Sequence, residues 1–128
     1  MDINGTQKRL IIVDTAASDD YLTMSEHDCF HGDALLLCCD LQMHESLKNM
    51  ERKRKQFLHH SKKCIMVAVN KVDLGLTGFQ LSVQDVQRFA NCYALLNVVQ
   101  TSALNNIGVV EAFTKLVCYC LADNLCHI

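Results

Sequence analysis

Four short apolar runs constrain this chain more than any other feature: residues 10–13, 34–39, 64–69 and 97–101. Each is close to continuously apolar instead of alternating, the pattern of strands buried on both faces of a parallel sheet. Parallel strands need crossover connections, and helix-like segments lie where those would be: around residues 20–29, 44–60, 82–94 and 108–125. Ser82 with Asp85 reads as a capping box, and Asn105 or Asn106 as a cap for the last helix. In that helix Val109, Ala112, Phe113, Leu116, Val117, Cys120 and Leu121 form a stripe at three-four spacing. The opening "DINGTQKRL" reads as a hairpin that turns at Asn4-Gly5. Strands alternating with helices predict one α/β domain over residues 1–128 with a mostly parallel sheet.

Composition narrows the function classes. A formal charge of −2 gives no overall attraction to nucleic acid or to a membrane surface. No apolar run has the length of a membrane span, and the first residues lack a basic-then-apolar leader pattern, so the expectation is a soluble, cytoplasmic protein. Of the eight cysteines, Cys38, Cys39 and Cys64 fall in strand-like runs and Cys92, Cys118 and Cys120 in helical ones, which suits buried free thiols better than a disulfide framework. Cys118, Cys120, Cys126 and His127 are a weak metal pattern without a second pair. His27 with His31, one helical turn apart, is no stronger and reads as solvated polar surface. Residues 44–63 carry seven Lys or Arg against two Glu, a local +5 that leaves −7 elsewhere. The run "ERKRK" reads first as a solvated helix face and second as a site for an acidic partner. "LCHI" at the end is not a lipidation signal.

Chemistry concentrates at "NKVD": Asn70, Lys71 and Asp73 directly after the third apolar run. Side chains at the carboxyl end of a parallel strand face the ligand crevice. Asp73 can accept from the N1 hydrogen and the 2-amino group of guanine, a pair of donors that adenine lacks. Asn70 can bridge neighbouring loops and the Lys71 stem can cover one ring face. "QTSAL" follows the next run, where the Ser102 hydroxyl and the Ala103 N–H can reach a guanine O6. Earlier, in "RLIIVDTAASDDY", Asp14 ends an apolar run as a magnesium-facing carboxylate would.

With DTAA, NKVD and TSA in that order, the chain resembles the Ras superfamily of small GTPases over essentially its whole length. The strand-to-helix stretch "CFHGDALLLCCDLQMHESLKNM" fits the resemblance, and "NNIGVVEAF" leans toward the Rab-like branch. The resemblance implies a three-layer P-loop-NTPase-like fold, with GTP or GDP and magnesium as ligands. It implies that Asn70, Lys71, Asp73, Ser102 and Ala103 meet guanine, that Asp14 holds magnesium through water, and that Ala17 offers its N–H to the γ-phosphate.

Several departures change what is expected of this chain. The phosphate loop G-x-x-x-x-G-K-S/T does not occur in the sequence, nor does the first switch with its magnesium-binding threonine. Ala17 stands where the family has glycine, Ser18 where it has the water-positioning glutamine, and Leu104 where it has lysine. The first strand and first helix of the fold are therefore expected to be missing, with Asp14 a relic. The gap would leave two apolar strand edges, at residues 10–13 and 34–39, that close on each other, self-associate or accept a partner's strand. A base of about eleven heavy atoms at roughly 0.3 kcal/mol each binds with about 3 kcal/mol, or millimolar affinity. The expectation is a degenerate or truncated small GTPase-like protein that acts through partners; the alternative is a truncated form of an active GTPase.

Overall fold

The computed structural model describes residues 1–3, 5–15, 32–58, 64–75 and 78–125, with side chains in the last helix described to residue 122. Two strands at the front, β1 (Asp2–Ile3) and β2 (Thr6–Gln7), form the expected hairpin, with Gly5 at φ 78° in its turn. The main sheet consists of β3 (Ala34–Asp40), β4 (Cys64–Asn70) and β5 (Val98–Gln100), all parallel, in the order β3-β4-β5. Among the described residues three α-helices accompany them: α1 (Ser46–Leu58) between β3 and β4, α2 (Val83–Cys92) between β4 and β5, and α3 (Val109–Leu125) after β5.

The central strand shows why its sequence is continuously apolar. Residues 64–69 of β4 are all buried. Because successive side chains point to opposite faces, Ile65, Val67 and Val69 join Leu37 and Cys39 of β3 against Met50 and Phe57 of α1 and Val86 of α2. Cys64 and Met66 instead pack with Val99 against Ala112 and Leu116 of α3. The result is three layers with a core on each side of the sheet. Each fully buried aliphatic side chain contributes about 1.5–3 kcal/mol. The Ser82–Asp85 capping box is present in full at the start of α2. The guanidinium of Arg54 on α1 lies 3.8 Å from the ring centroid of Tyr93, which ties α1 to the end of α2.

Three expectations require correction. The run at residues 10–13 is not a strand in the sheet: its four side chains are 40 to 73% exposed. An apolar run becomes a strand only where its N–H and C=O groups find a ladder. Among the described residues the outer edge of β3 pairs with no strand, so the two edges do not close on each other. Neither Asn105 nor Asn106 begins α3; the Gly108 carbonyl accepts the first helical bond, from the Ala112 N–H at 2.9 Å, and Asn106 takes the left-handed region at φ 54° in the turn before it. The six described cysteines are free thiols, but Cys38 and Cys92 are exposed, not buried. Burial pushes the thiol of Cys39 up to about 11, which keeps it protonated and inert. The expected helix around residues 20–29, with His27 and His31, lies outside the described residues, as do Cys126 and His127.

Candidate functional site

β4 ends at Asn70, and the chain leaves the sheet sharply. Lys71 adopts φ 63°, ψ 30°, a left-handed conformation that non-glycine residues rarely take. A single 3-10 turn, Val72–Leu74, follows and closes on Gly75 at φ 69°. The neighbouring loop after β5 is tied to it by backbone bonds: Thr101 N–H to the Val69 carbonyl at 2.7 Å and Val72 N–H to the Thr101 carbonyl at 3.2 Å. Beyond, Ser102 and Ile107 exchange two backbone bonds of 2.9 and 3.0 Å, which pinch residues 103–106 into a closed turn.

Side chains complete the connection. The Asn70 carboxamide oxygen accepts from the Thr101 hydroxyl at 3.2 Å and from the Ala103 N–H at 3.1 Å. The Ser102 hydroxyl, fully buried, donates to Oδ1 of Asp73 and accepts from the Asn105 N–H at 3.1 Å. On the other side, Lys71 Nζ donates to Oδ2 of Asp40 at 2.6 Å, and Oδ1 of Asp40 accepts the Gln42 N–H at 2.9 Å. The Lys71 bond, reinforced by that N–H, holds the Asp40 carboxyl below its ordinary range.

Between the two loops lies a cleft of about 300 Å³, lined by Asn70, Lys71, Asp73, Leu74, Ala103 and Leu104. That volume is at the small end for ligand pockets, which suits one planar heterocycle. Leu74 and Leu104 supply apolar walls, and Leu104 is 82% exposed. Asp73 brings a carboxylate whose Oδ2 makes no hydrogen bond among the described residues.

Four of the seven sequence-derived site residues, Asn70, Lys71, Asp73 and Ala103, therefore line one cleft, and Ser102 sits directly behind it, its hydroxyl spent on Asp73. Asp14 is not with them. It is exposed in a stretch without regular secondary structure, and its charge acts on the thiol of Cys38 in β3. Ala17, like Ser18, lies outside the described residues. The described residues include no group of three His, Cys, Asp or Glu placed to hold a metal ion.

A sequence model of the Ras family matches residues 1–122. The chain belongs to the Ras family. It is a small GTPase-like protein, and the family implies guanine-nucleotide binding. No curated protein matches the chain. No helix among the described residues is long and apolar enough to cross a membrane. Two residues of the site escaped the sequence reading. Thr101 was visible only as part of a motif, although a hydroxyl beside a strand end is a standard partner for an Asn on the next strand. Asp40 gave a signal in hindsight: an acidic residue closing an apolar strand, in register with Asn70.

Proposed function

We propose that this chain is a guanine-recognising member of the Ras family that works by binding protein partners instead of hydrolysing GTP. The observation that carries the reading is the Ser102–Asp73 hydrogen bond at the wall of the cleft, which sets a carboxylate for the two donors of guanine. Asn70 supports it by fixing the spacing of the two loops. Hydrolysis needs phosphate and magnesium contacts worth far more than a base alone, and neither the phosphate loop nor the first switch occurs in the sequence. The "NNIGVVEAF" stretch supports a Rab-like reading and, with it, a cytoplasmic role in signalling or vesicle trafficking. The outer edge of β3, which pairs with no strand among the described residues, and the exposed run at residues 10–13 suit strand pairing with a partner or a second copy.

Calorimetric titration with GTP and magnesium, together with ligand-observed NMR titrations of guanosine and adenosine, tests the proposal. Millimolar guanosine binding, weaker adenosine binding and no GTP turnover are expected. GTP binding at micromolar affinity or measurable hydrolysis overturns it.

A further inference from the structure

Lys71 lines the cleft and Asp40 does not, yet the two are joined: Nζ of Lys71 donates to Oδ2 of Asp40 at 2.6 Å. The register of the sheet brings this about. Asp40 on β3 stands opposite Asn70 on β4, and the left-handed backbone at Lys71 follows directly. A lysine carries its charge on a flexible stem, and an exposed ion pair holds such a stem poorly because both partners are mobile. Here one partner is fixed. The Asp40 side chain is 17% exposed against 50% for Lys71, and its Oδ1 accepts the Gln42 N–H at 2.9 Å. Its backbone is clasped by the buried Ser46 hydroxyl at the start of α1, which donates to the Asp40 carbonyl at 2.9 Å and accepts the Asp40 N–H at 3.3 Å.

An anchored carboxylate outside the cleft therefore holds the end of a side chain that lines it. The bond draws the ammonium toward β3 and leaves the aliphatic stem as the part of Lys71 that walls the cleft. Lysine stems cover apolar surface in this way while the charged head stays with a polar partner. A flat ring gains most from such a wall when the stem is already in place. A stem that must first be ordered loses rotamer freedom on binding, and that loss is subtracted from the affinity.

We propose that Asp40 is a positioning residue for the cleft: held by Ser46 and Gln42, it fixes the Lys71 side chain so that the stem forms a preorganised wall against the face of a bound purine. The inference rests on the guanine reading of the cleft and adds the residue that prepares the ring-face contact. Asp40 touches no ligand and acts through Lys71. A ring face is common to guanine and adenine, so Asp40 sets affinity and not the choice of base.

Asp40→Asn is the informative variant. Its single carbonyl oxygen cannot serve both the Gln42 N–H and the Lys71 ammonium as the two carboxylate oxygens do. Ligand-observed NMR titrations of the full chain use guanosine and adenosine, neutral nucleosides that bring no phosphate charge. Both affinities should fall by about two- to fivefold in Asp40→Asn, with their ratio unchanged. In a Lys71→Met background, which keeps an apolar stem and removes the ammonium, the same substitution should have no effect. In the ligand-free protein the Lys71 ammonium protons should exchange with solvent faster in Asp40→Asn than in the parent. Unchanged guanosine affinity in Asp40→Asn, a loss that persists in the Lys71→Met background, an altered ratio of the two nucleosides or unaltered ammonium exchange overturns the inference and leaves the guanine reading intact. Adenosine binding as tightly as guanosine in the unaltered protein, or no guanosine binding up to its solubility limit, overturns the guanine reading and this inference with it.

Discussion

The hydroxyl of Ser102 donates to Oδ1 of Asp73 across the two loops that follow β4 and β5. The Ser102 Oγ also accepts the Asn105 N–H at 3.1 Å, so one buried atom fixes both the tilt of the carboxylate and the turn behind it. Ser102→Ala removes a donor and an acceptor at once. The expected cost is about 1–2 kcal/mol in urea unfolding, together with a several-fold loss of guanosine affinity. A variant as stable as the parent with unchanged affinity would show that the hydroxyl positions nothing.

In the proposed function Asp73 is the base discriminator. Oδ1 is engaged by Ser102, yet each carboxylate oxygen has two acceptor sites, so both oxygens remain able to meet guanine. Asp73→Asn replaces one acceptor oxygen by a donor. Guanosine binding should weaken until it equals that of adenosine, a loss of about 1–3 kcal/mol limited by the weak starting affinity. Competition between the two nucleosides in one NMR sample reads the ratio directly, and a preserved guanine preference removes Asp73 from the role.

Gly108 controls the same loop from below. Its φ is +67°, and a Cβ there would lie 2.2 Å from the carbonyl oxygen of Gln100, a backbone atom that has no rotamer to yield. Gly108→Ala therefore combines left-handed strain, about 1–3 kcal/mol, with a displacement of the β5 exit. Thermal melting should show a clear loss of stability, and the amide resonances of Ser102 and Ala103 should shift. A melt within about 1 °C of the parent, less than 1 kcal/mol would move it, contradicts the assigned contact.

Much of this was legible before the structure. β4 could be read because burial on both faces leaves no polar position in residues 64–69. The α2 cap could be read because Ser82 and Asp85 are a local pair that needs no tertiary partner. The two loops that line the cleft could be read because three motif residues share one strand end. The run at residues 10–13 misled because its composition reports the capacity to be a strand, while a ladder depends on what lies alongside. Asp40 was missed for a related reason. Its importance comes from a contact with Lys71 that is 31 residues away, and only the register of β3 against β4 creates it.

Acid should expose the Asp40–Lys71 pair. The Lys71 hydrogen bond lowers the folded-state pKa of Asp40 below its unfolded value of about 3.9. A depressed carboxyl pKa contributes stability that is present above the unfolded value and is lost as pH falls through the folded one. The melting temperature should therefore drop between about pH 5 and pH 2.5, and Asp40→Asn should drop less over the same interval. Asp85, held low first by the Ser82 hydroxyl, keeps part of the acid sensitivity in both proteins. Parallel pH profiles for parent and variant would mean that the pair does not stabilise the fold.

The outer edge of β3 is the remaining feature with a measurable consequence. Seven residues of strand offer N–H and C=O groups on that side without a ladder among the described residues, while Ile11, Ile12 and Val13 stand 73, 61 and 53% exposed. Both are surfaces that favour intermolecular pairing, and no proline occurs anywhere in the sequence to block it. The isolated chain should therefore self-associate, with a melting transition that depends on protein concentration. Ile11→Lys combined with Val13→Lys places charge on the exposed run, the device natural edge strands use against such pairing. Light scattering should show the apparent mass of the variant falling toward that of the 14.4 kDa monomer. A parent protein that is already monomeric at all concentrations, with a sharp melt above roughly 60 °C, would rule out an open edge as a source of association.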